Sequence, residues 1–394
     1  MSQANPPLKV AQRIAHLSSH YFAALDEQIA RLSAGGKQVI RLDVGSPDLP
    51  PPPAVIDCLH ASASRPNTHG YQAHTGTREL RQAWAGMYRR LHGVELNPET
   101  EILPLIGSKE GIFHLHQALV NPGDIVLVPD PGYITYTRGA QIAGAEVFTL
   151  PLLEENDFLP RLDRIPDEIA RRAKILWLNY PNNPTAGVAS LEFFQSAVEF
   201  ARQFEILLAH DAAYTQVTFN GYRAPSLLEI PGAKDVAIEF NTLSKSHNMA
   251  GWRVAAAVGR ADALRCLYQL KTNVDSSHFL PILEAATVAM NGDQGWIAGR
   301  NQVYQARRDC VAAALDRLGF HYRLPQASLY VWFAVPAGQT STGFCARVLE
   351  QCGVSLTPGS IFGAQGEGYV RLSLTSPIDE IAEAMQRLEK EFRV

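Results

Sequence analysis

The chain has 394 residues, 46% of them hydrophobic and 19% charged, with a formal net charge of −4, a globular composition long enough for two or three domains of ~150 residues. Mild acidity, and no basic run beyond pairs such as Arg89-Arg90 and Arg171-Arg172, argues against a nucleic-acid partner. The opening MSQANPPLKV lacks the apolar core of a secretory signal, and no apolar run approaches the ~20 residues of a membrane span.

Residues 11–34 have helical periodicity, closed by Gly35-Gly36. A short strand over 39–44 enters the turn Gly45-Ser46-Pro47-Asp48 and the proline run 50–53. A helical pattern over 77–92 follows the loop His69-Gly70-Tyr71, whose aromatic has no structural excuse. Apolar runs at 102–106, 125–128, 145–150, 175–178, 206–209, 236–240 and 254–258 then read as strands, with a turn at 107–111 and a helix at 112–120 after the first. The runs are unbroken rather than alternating, as parallel strands covered on both faces require. The expected fold is α/β: a large domain over 45–280 with a mainly parallel seven-stranded sheet, and a smaller α+β domain over 281–394, to which an N-terminal arm, 1–44, contributes. In that smaller domain, 282–318 reads as helix broken near Asn291-Gly292. Strands follow at 330–335 and 369–374, and a closing helix at 378–392.

In open α/β sheets ligands sit outside the carboxyl ends of the strands, so polar residues at strand exits carry the information. The stretch NTLSKSHNMAGWRV sets Lys245 among the hydroxyls of Thr242, Ser244 and Ser246, with Arg253 eight residues on. A lysine held this way can aim its amine at a carbonyl, and the hydroxyls and Arg253 suit a phosphate. Gly107-Ser108-Lys109 opens a helix after a strand, where backbone N–H groups make a second anion-binding element. Asp211 ends an apolar strand and needs a cationic or hydrogen-bonding partner. Asn183 in YPNNPT and Tyr214 in HDAAY could both bond a phenolate oxygen, and Tyr133 in DPGYITY could stack on a ring. Arg371, interrupting an apolar strand, suits a carboxylate. Each has an ordinary alternative: a solvated lysine, a helix-capping aspartate, a proline turn, a packed tyrosine, a structural salt bridge. Together they match the needs of pyridoxal 5′-phosphate, whose ring nitrogen a carboxylate keeps protonated.

The segments GSKEGI (107–112), DPGYITY (130–136), YPNNPT (180–185), HDAAY (210–214), SKSHNMAGWR (244–253) and YVRLSL (369–374) resemble the class I/II (fold type I) pyridoxal-phosphate aminotransferases over nearly the whole chain. Within them, GSKEGI, HDAAY and SKSHNMAGWR are similar to the LL-diaminopimelate aminotransferase branch. The resemblance implies a Schiff base on Lys245, which also moves the proton between Cα and C4′. It pairs Asp211 with the ring nitrogen, sets Asn183 and Tyr214 at the ring's O3′, and stacks Tyr133 on the ring. It assigns the phosphate to Ser108, Lys109 (through its backbone), Thr242, Ser244 and Arg253, and the substrate carboxylate to Arg371 backed by Gly45 and Asn183. Tyr71 would reach the phosphate of a partner subunit and Asn273 would also cross over, making an obligate homodimer with shared sites. Thr242 stands where the family has serine, and Ala255-Ala256-Ala257 replaces a glycine-containing strand.

The implied activity is ping-pong transamination between an L-amino acid and a 2-oxo acid, 2-oxoglutarate/glutamate included, in lysine biosynthesis. Alanine, aspartate and aromatic aminotransferases and a C–S β-lyase are the alternatives. Tyr21 and His74 are candidates for the far end of the substrate. No metal-ligand spacing is present. Cys58, Cys266, Cys310, Cys345 and Cys352 lack CxxC spacing, as expected of buried thiols in a reducing cytoplasm.

Overall fold

A computed structural model of the protein describes residues 9–15 and 21–392. The periodic stretch at the N-terminus becomes a single turn, Gln12–Ala15, and a helix, Tyr21–Ala34; part of that expectation, 16–20, lies outside the described residues. The strands are β1 (Ile40–Arg41), β2 (Ile102–Ile106), β3 (Ile125–Asp130), β4 (Glu146–Pro151), β5 (Ala173–Asn179), β6 (Leu207–Asp211), β7 (Ala237–Thr242), β8 (Val254–Gly259), β9 (Tyr330–Ala334), β10 (Val354–Ser355), β11 (Thr357–Pro358) and β12 (Tyr369–Ser373). All seven apolar runs of the large sheet are strands.

Their order is β2-β8-β7-β6-β5-β3-β4. Only β8 runs against its neighbours, so the sheet is mainly parallel. Separate apolar clusters cover its two faces, one around Trp84, Leu176 and Phe194, the other around Leu105, Trp177 and Phe240. Both faces are covered over the inner strands, which is why those lack a polar alternation, while the edge strand β4 is exposed at Glu146 and Thr149.

Where the sequence suggests a turn over 107–111, the helix starts at once, running Ser108–Leu119. Gly107 makes the sharp entry at φ +81°, a conformation that side chains with a Cβ disfavour. The helix expected after Tyr71 is Arg78–His92. Thr77 caps it by accepting from the Leu80 N–H at 3.2 Å, and the left-handed Gly93 closes it. Helices Pro53–Ala63, Ile134–Ala143, Leu191–Gln203, Ala261–Lys271 and Ser341–Cys352 complete the crossovers and the C-terminal layer.

The C-terminal helical stretch breaks as expected into Leu280–Asn291 and Trp296–Leu318. The first half packs into the core of the large sheet through Leu283, Ala286 and Met290. Strands β9, β11 and β12 form a three-stranded antiparallel sheet with its own core, which the helix Ile378–Phe392 covers. Of the strand expected over 39–44, only Ile40 and Arg41 enter a ladder, parallel to β10. That pairing carries the N-terminal segment past the exits of the large sheet toward Gly45. Among the described residues no helix is long and apolar enough to cross a membrane, and no group of three or more His, Cys, Asp or Glu could hold a metal ion.

Candidate active site

The sheet topology brings six chain segments to one edge. Strands β2, β3, β5, β6 and β7 all end there, and β8 begins there. Ser108 and Lys109 follow β2, Tyr133 follows β3 and Asn183 follows β5. Asp211 is the last residue of β6 and Thr242 the last of β7, while Arg253 directly precedes β8. They line a cavity of about 470 Å³ together with Gly45, Tyr214, Ser244, Lys245 and Arg371. Every cofactor and substrate residue expected from the family resemblance is therefore in this cavity except Tyr71 and Asn273; the looser candidates Tyr21 and His74 are outside it as well. Tyr71 is 93% exposed, and Asn273 is exposed with its amide donating to the Gln269 carbonyl at 2.9 Å.

Lys245 lies in the single helical turn Leu243–Ser246. Its ammonium donates to the Gly45 carbonyl at 2.5 Å. Burial lowers its pKa below the usual lysine value, and the nearby Arg371 and Arg253 charges push the same way. Arg300, itself buried, fixes the turn by donating to the carbonyls of Lys245 at 2.9 Å, of Ser246, and of Gln216 at 2.5 Å. Burial lowers this guanidinium to about 10.

Asp211 is 5% exposed. Its Oδ2 accepts from the Tyr136 hydroxyl at 2.8 Å, and its Oδ1 has no hydrogen-bond partner among the described residues. Burial raises its pKa to about 6, against the pull of the Tyr136 hydrogen bond and of positive charge nearby. A buried carboxylate oxygen without a donor is costly unless something else supplies one. The protonated nitrogen of a pyridine ring would do so.

Asn179 ties two neighbours together. Its amide donates to the Asp211 carbonyl at 2.7 Å, and its Oδ1 accepts from the Asn183 N–H at 2.8 Å. The hydroxyls of Tyr214 and Tyr330 are 3.0 Å apart. Burial would raise the Tyr330 phenol, but the charges of Arg371 and Lys245 outweigh it and bring the group below its usual value; Tyr214 is raised, chiefly by burial.

At the phosphate-type end, Arg253 adopts the left-handed conformation at φ 60° and donates to the Ala250 carbonyl at 2.6 Å. A Cβ on Gly107 would stand 2.1 Å from its Nη2, so only glycine lets the turn and the guanidinium share this space. Thr242 Oγ1 donates to Ser244 Oγ at 3.0 Å and accepts from the Ser244 N–H at 3.1 Å. The threonine thus keeps a hydroxyl at the exit of β7.

Arg371 in β12 is 5% exposed, with its guanidinium 4.2 Å from the Tyr330 ring centre. It donates to Asn183 Oδ1 at 2.9 Å and to the Asp43 carbonyl at 2.8 Å, and its Nε has no partner among the described residues. This leaves donor capacity for a planar anion. The donors, the unpaired carboxylate oxygen, the enclosed amine and the ring of Tyr133 at the cavity wall together fit pyridoxal 5′-phosphate and an α-carboxylate.

Sequence reasoning missed Tyr136, Asn179, Tyr330, Arg300 and the cavity residues Phe22, Asp26, Arg41 and Asp43. Tyr136 and Asn179 stood inside or beside segments already singled out. Arg300 and Tyr330 carried no local signal, being one arginine in a helix and one tyrosine in an apolar strand. Tyr21 has its phenol raised chiefly by burial, with Cys345 and Asp43 near it, and like His74 it does not line the cavity.

Comparison with known proteins agrees with this geometry. The family model for aminotransferase class I and II matches residues 37–388. The chain is 47% identical to an LL-diaminopimelate aminotransferase from Moorella thermoacetica, over 97% of this chain and 98% of that one. It is 45% identical to an enzyme of the same name from Syntrophobacter fumaroxidans, over 96% and 98%. The substrate-bound structure of BacF from Bacillus subtilis superposes with a TM-score of 0.94 at 36% identity, covering 98% of both chains. Enzymes of this family depend in general on pyridoxal phosphate. With its sheet edge, its enclosed lysine and its match from residue 37 to residue 388, the chain belongs to the class I and II aminotransferases.

Proposed function

We propose that the protein is an LL-diaminopimelate aminotransferase of lysine biosynthesis, which passes the amino group to 2-oxoglutarate in two alternating half-reactions. We further propose that it works as a cytoplasmic homodimer with shared sites. The observation that carries the chemistry is the meeting, in one cavity, of the Lys245 amine, the unpaired Oδ1 of Asp211 and the Arg371 guanidinium. The substrate rests on the names of the relatives that the chain matches over nearly its full length.

Bound here, pyridoxal 5′-phosphate supplies an electron-withdrawing ring that stabilises negative charge at the substrate Cα. Lys245 would hold the cofactor covalently, and its amine, once free, would move the proton between the substrate Cα and C4′. Its lowered pKa leaves more of the amine free to act as a base near neutral pH. Asp211 keeps the ring nitrogen protonated, Asn183 and Tyr214 bond O3′, and Tyr133 stacks on the ring. Ser108, Thr242, Ser244, Arg253 and the backbone of Lys109 hold the phosphate. Arg371, steadied by Asn183 and the Asp43 carbonyl, orients the α-carboxylate.

A panel of amino donors with 2-oxoglutarate, followed by glutamate release, tests the reading. The largest kcat/KM should fall to LL-diaminopimelate. A clear preference for alanine, aspartate or an aromatic amino acid would overturn the substrate. Pyruvate and ammonia released from cystathionine without an added oxo acid would make the protein a C–S β-lyase instead.

A further inference from the structure

Asp130 ends β3, three residues before Tyr133, and unlike Tyr133 it does not line the cavity. Its side chain meets the C-terminal domain instead. Asp130 is 7% exposed, and its Oδ1 accepts from the backbone N–H of Gln365 at 3.0 Å. Burial raises its pKa above the ordinary carboxylate value, against the pull of backbone hydrogen bonds from Gln365 and Ala364. The nearby Gly132 N–H donates to the Phe362 carbonyl at 2.8 Å. Gly363 lies between these contacts at φ +138°, and a Cβ there would stand 2.0 Å from Asp130 Oδ1. Hydrogen bonds from backbone N–H groups to a buried carboxylate are strong and directional.

The segment that Asp130 meets, residues 359–367, is tied firmly to its own domain. Two short helical turns, Gly359–Phe362 and Ala364–Gly366, make up most of it. Ser341, at the start of the helix Ser341–Cys352, donates to the Glu367 carboxylate through its N–H at 2.7 Å and its hydroxyl at 2.9 Å. The same hydroxyl oxygen accepts from the Ser360 N–H at 3.4 Å. Asp130 and Gly132 therefore seat a preformed piece. An apolar patch of Leu152, Phe158 and Trp332, against which Phe362 packs, adds to the seat.

Phe362 carries this seating to the substrate side. The Arg371 guanidinium carbon is 4.8 Å from the Phe362 ring centre and 4.2 Å from that of Tyr330. Aromatic rings attract a guanidinium and restrain its plane. Tyr330 belongs to β9, which pairs with the β12 strand of Arg371, so that ring follows the arginine wherever the small sheet goes. The Phe362 ring is different, because its loop rests on the large domain at Asp130 and Gly132.

We propose that Asp130 is a positioning residue for the substrate α-carboxylate: by seating residues 359–367 it holds Phe362 against Arg371 and fixes the guanidinium on which the carboxylate docks. The inference rests on Arg371 as the α-carboxylate clamp, and it gives that clamp a support on the far side of the domain boundary. A change at Asp130 reaches amino acids and oxo acids alike, whatever their side chains. The phosphate end, built on other strand exits, is untouched.

The test follows the half-reaction of the holoenzyme with L-glutamate by the cofactor's absorbance, which yields an apparent Kd and a maximal rate. Asp130→Ala is expected to weaken L-glutamate ~10-fold with the maximal rate nearly unchanged, the mark of lost uniform binding. Its affinity for pyridoxal 5′-phosphate, measured by titration, should match that of the wild type. Asp130→Asn keeps an oxygen that accepts from Gln365 and should recover most of the binding. Phe362→Ala should weaken L-glutamate ~3–10-fold. The double variant should be no worse than the worse single one, because both residues act on Arg371 in series. Effects that multiply in the double variant, or an Asp130→Ala enzyme that binds L-glutamate normally, overturn the proposal. So does an equal loss of cofactor affinity, which would mark collapse of the loop that carries Tyr133. Arg371→Lys separates the two readings. If it leaves L-glutamate binding unchanged, the clamp assignment falls and the support with it; if it weakens binding while Asp130→Ala does not, only the support is lost.

Discussion

Tyr136 donates its hydroxyl to Oδ2 of Asp211 at 2.8 Å, and its ring stacks on Trp177 with centroids 4.9 Å apart and planes 12° apart. Trp177 is itself fixed, its indole N–H donating to His116 at 2.9 Å. The orientation of the Asp211 carboxylate is thus set by a column of buried rings behind it. Tyr136→Phe keeps the stack and removes one donor, which for a buried carboxylate costs about 1–3 kcal/mol. The hydroxyl favours the charged form of Asp211, so its loss raises the carboxyl pKa further. The acidic limb of the kcat/KM profile is expected to move to higher pH, with activity near neutrality down by roughly 10-fold. A profile superimposable on that of the wild type would break the link.

Asp211 also makes the cofactor-free protein sensitive to pH. Its folded-state pKa is about 6 and its ordinary value 3.8. Between these values the folded chain holds a proton that the unfolded chain has released, so stability falls as pH rises from ~4 to ~6 and stays lower above that. The gap of about two units corresponds to roughly 3 kcal/mol. Apo Asp211→Asn should lose this dependence and melt higher than apo wild type at pH 7. At pH 4 the two should converge. Thermal melts of both proteins across that range decide it. Activity of the loaded variant should fall by at least 100-fold, since the ring nitrogen loses its counter-charge.

Much of this site was legible because strand exits concentrate polar residues. Asp211, Thr242 and Ser108 each end or follow an unbroken apolar run, and the topology that gathers them follows from the β/α alternation. What stayed hidden depends on distant pairing. Arg41 and Asp43 line the cavity because β1 joins β10 and brings the N-terminal segment to it, and a two-residue ladder leaves almost no trace in sequence. Arg300 reaches the Lys245 turn from a helix more than fifty positions later, with nothing local to mark it. Residues 107–111 read as a turn because Gly107 announces one, while the helix that starts at Ser108 has no side-chain cap to signal it.

The close fit between Gly107 and Arg253 predicts a selective defect in phosphate binding. Gly107→Ala forces a Cβ into a backbone at φ +81° and into the space of Arg253 Nη2, 2.1 Å away. The guanidinium must swing out, and one or two charge-assisted contacts go with it. Affinity for pyridoxal 5′-phosphate is expected to fall ~10–100-fold. Pyridoxal without the phosphate should bind the variant and the wild type alike. Equilibrium titrations with the two aldehydes separate this from general misfolding, which would weaken both.

Tyr71 bears on the proposed sharing of sites between subunits. It is 93% exposed, and next to it His69 packs against Phe279, itself 39% exposed, at 5.4 Å between ring centroids. Val274 on the same segment is 55% exposed and Asn273 is beside it. Aromatic and aliphatic side chains presented together this way are what a subunit interface buries. If Tyr71 reaches the phosphate of the partner's site, Tyr71→Ala weakens cofactor binding by ~10-fold or more while leaving its own cavity intact. Lys245→Ala alone should lose all turnover and the visible absorbance trapped by borohydride. Unfolded together and refolded, the two variants would form mixed dimers in which one site has both an intact Lys245 and an intact Tyr71. Activity in the mixture above that of either parent is the expected result. A mixture that performs only as the average of its parents, from a protein shown to be dimeric by sedimentation, would place Tyr71 outside the shared site.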